Sequence, residues 1–450
     1  MKSQNERCCF GLQVINTNIW GAKQLHLLYK IKRIRYIIDS VVILQLVMCR
    51  GRVRLNIGLF TETYYPEING VANSCFMLKT ELEKMGHNVY VFTTKTPGEP
   101  EFEHNVFRVP SVPFIFLSDR RVGLFYQPKL ASTIKKLELD LIHTNTEFSL
   151  GIFGRIMAKE LNIPVVHTYH TIYEDYSHYI MKIKRLDKRT KSAIRYFTRR
   201  CCNSASIVIV PTDKVKKLLH TYQVYNNIKV IPTGINLDKF RRDRYSREEI
   251  IGLRNQYGIK EDEKTIIYLG RISKEKNIEE LLRAMPMYME QHEDVKFVIV
   301  GGGPDKERLM LITEELGISR RVIFAGEQPW DVIGKYYQLG DVFVSASQSE
   351  TQGLTYIEAM AAGLPVVAKK DACLDEILID GYNGYGFETR EDFYKGLDLI
   401  LYDDSDNGST AYSSNALSVV KTYSTEEFAK KVLSVYEEVA GDKGIQEEFI

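Results

Sequence analysis

Ser345-Ala-Ser-Gln-Ser-Glu350-Thr-Gln-Gly353-Leu-Thr-Tyr-Ile-Glu358-Ala-Met-Ala-Ala-Gly363-Leu-Pro365-Val-Val367 is the stretch on which the reading of this chain turns. An apolar run, Asp341-Val-Phe-Val-Ser345, leads into it as a strand. A polar loop carrying Glu350 and Gly353 follows, then good helix formers as far as Gly363, then a second strand from Pro365 to Ala368. In a strand, loop, helix, strand unit the loop lies at the carboxyl edge of a parallel sheet, where ligands collect. The amides of the first helical turn point outward there with the positive end of the dipole, so a phosphate would rest on those of Gly353, Leu354 and Thr355. Glu350 and Glu358 are eight residues apart and both can face a ligand over the helix start. Neither is placed to touch the phosphate, and carboxylates suit sugar hydroxyls, from which they accept in bidentate fashion. A plainer reading makes Glu350 a helix cap and Glu358 a solvated residue. The small and apolar Ala359-Met-Ala-Ala362 favours a buried helix, in which a carboxylate needs partners.

Working outward, strands alternate with helices on both sides of this unit. Upstream of Thr233 they are expected at 54–60, 88–92, 139–143, 164–168 and 206–210; downstream at 264–269, 295–300, 321–325, 341–345 and 365–368. That alternation predicts two doubly wound parallel α/β domains, and 450 residues are too many for one core. The expected division is residues 53–232, residues 233–425 and a closing helix from 426. Residues 1–52 carry mixed charge and a short apolar run, 36–49, interrupted by Asp39 and Gln45, too short for a membrane span. They read either as an extension upstream of the true start, near Met48 or Val53, or as an amphipathic anchor. The formal net charge of +2 excludes a nucleic-acid binder driven by bulk charge. Seven cysteines without a C-x-x-C pair read as reduced thiols rather than a zinc site or a disulfide frame.

Three further segments bear on chemistry. Gly270-Arg271-Ile-Ser-Lys-Glu-Lys276-Asn277 follows a strand, and its two cations beside a helix start make a diphosphate clamp, with Asn277 and Glu280 expected to form a capping box. Val300-Gly-Gly-Gly303-Pro304 suggests a dinucleotide loop, but G-x-G-x-x-G needs glycine at 306 and Lys306 stands there, so a dehydrogenase is rejected. Asn69-Gly70 precedes a helix whose amides could meet a ligand across a cleft, although Asn-Gly is also ordinary turn chemistry. His170 ends a strand at the sheet's ligand edge, with His143 and Glu147 from the strand before it. A histidine in such a place is more often packed or at the surface. Finally, Met181–Arg200 holds nine Lys or Arg against one Asp, with apolar residues at near-helical spacing. That describes an amphipathic cationic helix suited to an anionic leaflet, at up to about 1 kcal/mol per basic residue; a solvated face and a nucleic-acid contact are the alternatives.

S-x-x-E-x-x-G-L-x-x-x-E-A-M-A-A-G-x-P-V-V closely resembles the nucleotide-sugar motif of the retaining family 4 glycosyltransferases of the GT-B fold, and G-R-x-x-x-x-K resembles another segment of that family. Together with His143-Thr-Asn-Thr-Glu-Phe-Ser-Leu-Gly151 and His167-Thr-Tyr-His-Thr-Ile-Tyr-Glu-Asp-Tyr-Ser-His-Tyr179, these stretches look like the bacterial 1,2-diacylglycerol 3-glucosyltransferases, over roughly residues 54 to 440. The resemblance implies two Rossmann-like domains facing a cleft and transfer of a hexose, glucose from UDP-glucose, to diacylglycerol at the cytoplasmic face of the membrane. It implies that Arg271 and Lys276 neutralise the leaving diphosphate without a metal, that Glu350 holds the donor sugar and that Glu358 holds the ribose. His170 would position sugar and acceptor. Gly70 and Gly303 would lie near the donor, and Gly326-Glu-Gln-Pro-Trp330 would receive the base. The rivals are the same donor chemistry on a soluble or cell-wall acceptor, and a non-catalytic nucleotide-sugar-binding scaffold.

Overall fold

The computed structural model describes residues 54–447 apart from 68, 96–97, 115–116, 124–125, 177–186 and 403–407. The apolar run at 36–49 and the first part of the basic run at 181–200 therefore lie outside the described residues, whereas Leu55–Ile450 form one compact unit. Two sheets organise it.

The first sheet is built from β1 (Asn56–Phe60), β2 (Asn88–Thr94), β3 (Phe102–Glu103) and β4 (Val106–Val109). After a hairpin, β5 (Ser111–Phe114) and β6 (Leu117–Gly123), it continues with β7 (Leu141–Thr144), β8 (Val165–Thr168), β9 (Ile207–Val210) and β10 (Asn227–Val230). The second sheet holds β11 (Lys264–Leu269), β12 (Val295–Val300), β13 (Val322–Gly326), β14 (Val342–Ser345), β15 (Val366–Lys369) and β16 (Gly384–Phe387). Their spatial orders are β10-β9-β8-β7-β1-β2-β4-β3 and β13-β12-β11-β14-β15-β16. Every ladder in them is parallel except β3 with β4.

Such sheets bury both faces, which is why β7, β8, β9 and β14 are buried at every position; β9 and β14 read as unbroken apolar or small runs, while β7 and β8 each end in a buried histidine and threonine. Each sheet carries a separate apolar cluster on either face. The edge strands β3, β10 and β16, the short strand β4 and the β5–β6 hairpin escaped the sequence reading; edge strands are exposed on one side and lack the long apolar runs of central ones, and β4, four residues interrupted by Arg108, is too short to stand out.

Strand order decides where ligands go. In the first sheet the winding reverses between β1 and β7, and in the second between β11 and β14. At such a reversal the loops leaving the two strands diverge to opposite faces and leave a crevice at the carboxyl edge. In the second sheet these loops are the one with Arg271 and Lys276 and the one with Glu350.

The chain crosses between the sheets twice, and the crossings run side by side. Ile235 bridges Ser424, and the Ile235 amide donates to the Tyr423 carbonyl at 2.8 Å. A Cβ on Gly234 would come within 2.5 Å of the Ser424 carbonyl oxygen, so only glycine fits there. The closing helix Thr425–Glu447 then packs Phe428, Val432, Val435, Tyr436 and Val439 into the same cluster as Leu55, Ile57, Leu59 and Leu141 of the first sheet. At about 1.5–3 kcal/mol for each large apolar side chain, less the entropy of ordering it, this face fastens the chain's end back onto the first lobe.

Candidate active site

The second-lobe crevice is lined by two loops that meet. Lys276, after β11, places Nζ 2.6 Å from Glu350 Oε1, after β14, and Ser349 Oγ donates to the Glu275 carbonyl at 3.3 Å. Burial works to raise the Glu350 pKa, but the Lys276 ammonium, with the Ser347 hydroxyl and the Lys214 charge, outweighs it and holds the carboxylate below its ordinary range. Glu350 is thus anionic and partnered at neutral pH. It does not cap the following helix.

Arg271 is exposed on the same loop, and its carbonyl accepts from the Tyr268 hydroxyl at 3.1 Å. The glycine loop after β12 is pressed against this segment: Cβ atoms on Gly301 and Gly303 would overlap the carbonyl oxygens of Gly270 and Ile272, at 1.9 and 2.2 Å. Ile272 N donates to Gly302 O at 2.8 Å, so Gly303 supports the cationic loop from behind. The expected capping box at Asn277 is absent. Asn277 takes a left-handed conformation, φ 50°, and gives its side-chain amide to Glu280, which also binds Lys369 at 2.7 Å. With its side chain engaged there, Asn277 makes no side-chain cap, and Glu279 and Glu280 instead face the helix dipole in its first turn.

The helix of the opening stretch runs Leu354–Ala361, entered through Gly353 at φ +76° with no side-chain cap. Its first amides therefore have no capping side chain, the arrangement an anion requires. One turn further, Glu358 is 5% exposed and accepts from the Tyr337 hydroxyl at 2.8 Å. Burial pushes its pKa up to about 7, against the opposing pull of Tyr337 and Lys239. Lys239 Nζ sits 3.7 Å over the centre of the Trp330 ring, and burial lowers its pKa to about 8. The segment expected to receive a base is thereby pinned at Trp330, while Gln328 donates to the Ala325 carbonyl.

Across the crevice, the helix Gly70–Lys84 begins with Asn69 as its cap, Oδ1 accepting from the Ala72 amide at 3.0 Å. A Cβ on Gly70 would lie 3.4 Å from Leu354 Cδ1, so the first-lobe glycine and the second-lobe helix start face each other directly. His170 follows β8, with Nε2 3.1 Å from Asn145 Oδ1. Burial pushes its pKa down to about 4, against the pull of Glu147, so the ring is neutral near pH 7. His143 is a packing residue: its two ring nitrogens meet Tyr436 of the closing helix at 2.6 Å and Thr168 at 2.7 Å. Glu147 is buried, with Oε1 3.4 Å from His167 Nε2 and its other oxygen accepting from Tyr173.

Sequence reasoning missed three groups. Glu62 is buried beside β1 and accepts the Leu150 amide at 2.6 Å, holding the start of the helix Ser149–Leu161. Tyr337 and Lys239 surround Glu358 from segments without any motif. Lys214 reaches from the first lobe to the Glu350 loop. Each works through a partner distant in sequence, which no local spacing encodes.

Two doubly wound α/β lobes with switch-point crevices facing one cleft define the GT-B class of glycosyltransferases. The structure superposes on sucrose-phosphate synthase from Thermosynechococcus elongatus with a TM-score of 0.69, at 24% identity, covering 86% of this chain and 100% of that one. Residues 68–239 match the model for Glycosyltransferase Family 4, and residues 250–419 that for Glycosyl transferases group 1. An alpha-monoglucosyldiacylglycerol synthase of Streptococcus pneumoniae is 40% identical over 383 residues, 85% of each chain. Another, from Acholeplasma laidlawii, is 36% identical over 388 residues, 85% of this chain and 96% of that one. The chain belongs to this glycosyltransferase family.

Proposed function

We propose that the protein transfers glucose from UDP-glucose, with retention, to the free hydroxyl of 1,2-diacylglycerol at a membrane surface, making a monoglucosyl lipid. The observation that carries the chemistry is the Lys276–Glu350 contact, which unites the cationic clamp and the sugar-binding carboxylate in one crevice opposite Gly70. The diphosphate lies on the Gly353–Thr355 amides with Arg271 and Lys276 around it, and these fixed positive groups neutralise the leaving charge in place of a metal. Glu350 holds the sugar and stabilises positive charge developing on it; Glu358 takes the ribose hydroxyls, and neutral His170 positions sugar and acceptor. Closing the cleft expels water that would otherwise hydrolyse the donor. The acceptor follows from the two synthases named above, which align over most of the fold.

A membrane-facing role is supported by the helix Asp187–Asn203, which carries the later part of the basic run, and by aromatic rings beside it. Phe148 and Phe197 stack at 6.3 Å and remain exposed, as does Tyr196. None of the described helices is long and apolar enough to cross a membrane. On this reading the enzyme sits peripherally on the cytoplasmic face, attached through its basic amphipathic helix.

The test is incubation with UDP-[14C]glucose or UDP-[14C]galactose on diacylglycerol vesicles, with resolution of the lipid products and Glu350→Ala as control. Labelled monoglucosyldiacylglycerol, formed equally in EDTA and lost in the control, supports the reading. UDP release without a labelled lipid would replace it with a soluble acceptor. Absence of any donor turnover would leave the scaffold reading.

A further inference from the structure

Lys214 belongs to the first lobe, in the first turn of the helix Asp213–Thr221 after β9, yet its side-chain ammonium reaches across to the second lobe. Its Nζ donates to the carbonyls of Gln348 and Glu350, each at 3.1 Å, and to both oxygens of Asp371, at 2.8 and 2.7 Å. Asp371 is almost buried, and one of its oxygens also accepts the Cys373 amide at 2.8 Å, so the carboxylate is fixed from its own lobe. The neighbouring contacts repeat the pattern. Thr212 Oγ1 donates to the Thr351 carbonyl at 2.7 Å, and the Gln352 side chain exchanges two hydrogen bonds of 2.8 Å with the backbone of Thr233, in the linker between the sheets.

The 348–352 loop is therefore held from the first lobe and its linker, through the carbonyls of Gln348, Glu350 and Thr351 and the side chain of Gln352, while the Glu350 carboxylate reaches the other way to Lys276. A loop without regular structure has little stiffness of its own, so these contacts set where the carboxylate points. We infer that Lys214 is a positioning residue for Glu350: it fixes the 348–350 backbone so that the carboxylate meets the donor sugar, and it makes assembly of the donor site depend on the first lobe. The inference rests on the sugar-holding role of Glu350 proposed above. A lysine that only clamps the lobes would affect stability and leave sugar recognition alone.

The test uses the full chain with Lys214→Met, Lys214→Arg and Glu350→Gln, alone and combined. Because misplacing a reacting group by about 1 Å costs on the order of 100-fold in rate, Lys214→Met should lower kcat roughly 10- to 100-fold with the diacylglycerol KM unchanged. Lys214→Arg, which keeps a charged donor, should recover most of that loss. In the Glu350→Gln background Lys214→Met should cost less than about threefold more, because coupled residues are not additive. By calorimetry Lys214→Met should weaken UDP-glucose while leaving UDP nearly unchanged, since the part of the donor assigned to Glu350 is the sugar and Lys276 keeps its own place on the other loop. The inference is overturned by an equal loss in both backgrounds, by equal weakening of UDP and UDP-glucose, or by a lowered unfolding temperature with wild-type kcat. If the wild type transfers nothing to diacylglycerol, the proposed acceptor fails and the calorimetric comparison still decides the role of Lys214. If it binds no UDP-glucose, both fall.

Discussion

Replacing Glu358 by glutamine separates what this carboxyl does for binding from what it costs the fold. The folded pKa is about 7 against 4.5 for the free side chain, the rise coming from burial. Between those values the folded chain holds a proton that the unfolded chain releases, so stability is greatest below about pH 4.5 and declines as pH rises through about 7. A difference of about 2.5 units corresponds to roughly 3 kcal/mol, an upper bound that the nearby Lys239 and Tyr337 will reduce. Glutamine keeps an acceptor for the Tyr337 hydroxyl and does not titrate. Its stability relative to wild type should therefore improve by at least about 1 kcal/mol between about pH 5 and pH 8, read as diverging unfolding profiles in urea. At about pH 8, where the folded carboxyl is ionised, donor KM should rise roughly 10- to 100-fold, because a charge-assisted hydrogen bond to the ribose is worth about 1.5–3 kcal/mol. Parallel stability profiles across that pH window would refute the reasoning, since they would mean that Glu358 is already ionised in the folded chain.

Lys276→Met removes one arm of the diphosphate clamp and the partner of Glu350; kcat/KM in the radiolabel assay should fall roughly 100- to 1,000-fold, as when a transition-state donor is lost. Gly70→Val fills the 3.4 Å space before Leu354 Cδ1 and should lower turnover at least about tenfold, while a thermal scan shows an unchanged fold. His170 is held neutral down to about pH 4, so a pH–rate profile on phosphatidylglycerol-containing vesicles should show no acid limb from this ring above about pH 5. Glutamate at Lys184, Arg185, Lys188 and Arg189 should abolish sedimentation with anionic liposomes and leave UDP binding intact.

Most of the candidate site was legible because its residues sit where the topology is legible. The strands β11 and β14 are strong apolar runs, and the loops that leave them carry Arg271, Lys276, Glu350 and Gly353, so locating the strands located the charges. The resemblance places Gly303 near the donor; what the structure shows is a packing reason for glycine there, the close approach of Ile272 O. Asn277 shows the limit of local rules. Its spacing to Glu280 satisfies a capping box, but Glu280 is shared with Lys369, 89 residues on, and the asparagine turns left-handed instead. His143 illustrates the same limit, for nothing near it in sequence announces Tyr436, 293 residues away.

The paired crossings at Gly234 and Ser424 have a mechanical consequence. Two strands of chain joined by a bridge behave as one pivot rather than two independent tethers, so the halves can swing about that line but resist sliding past each other. Displacement in such a swing grows with the lever arm. The Gln352–Thr233 exchange sits beside the pivot and would survive opening almost unchanged, while groups on the rim of the mouth would travel furthest. A bulkier residue at 234 would wedge the pivot itself and shift the resting gape of the whole jaw.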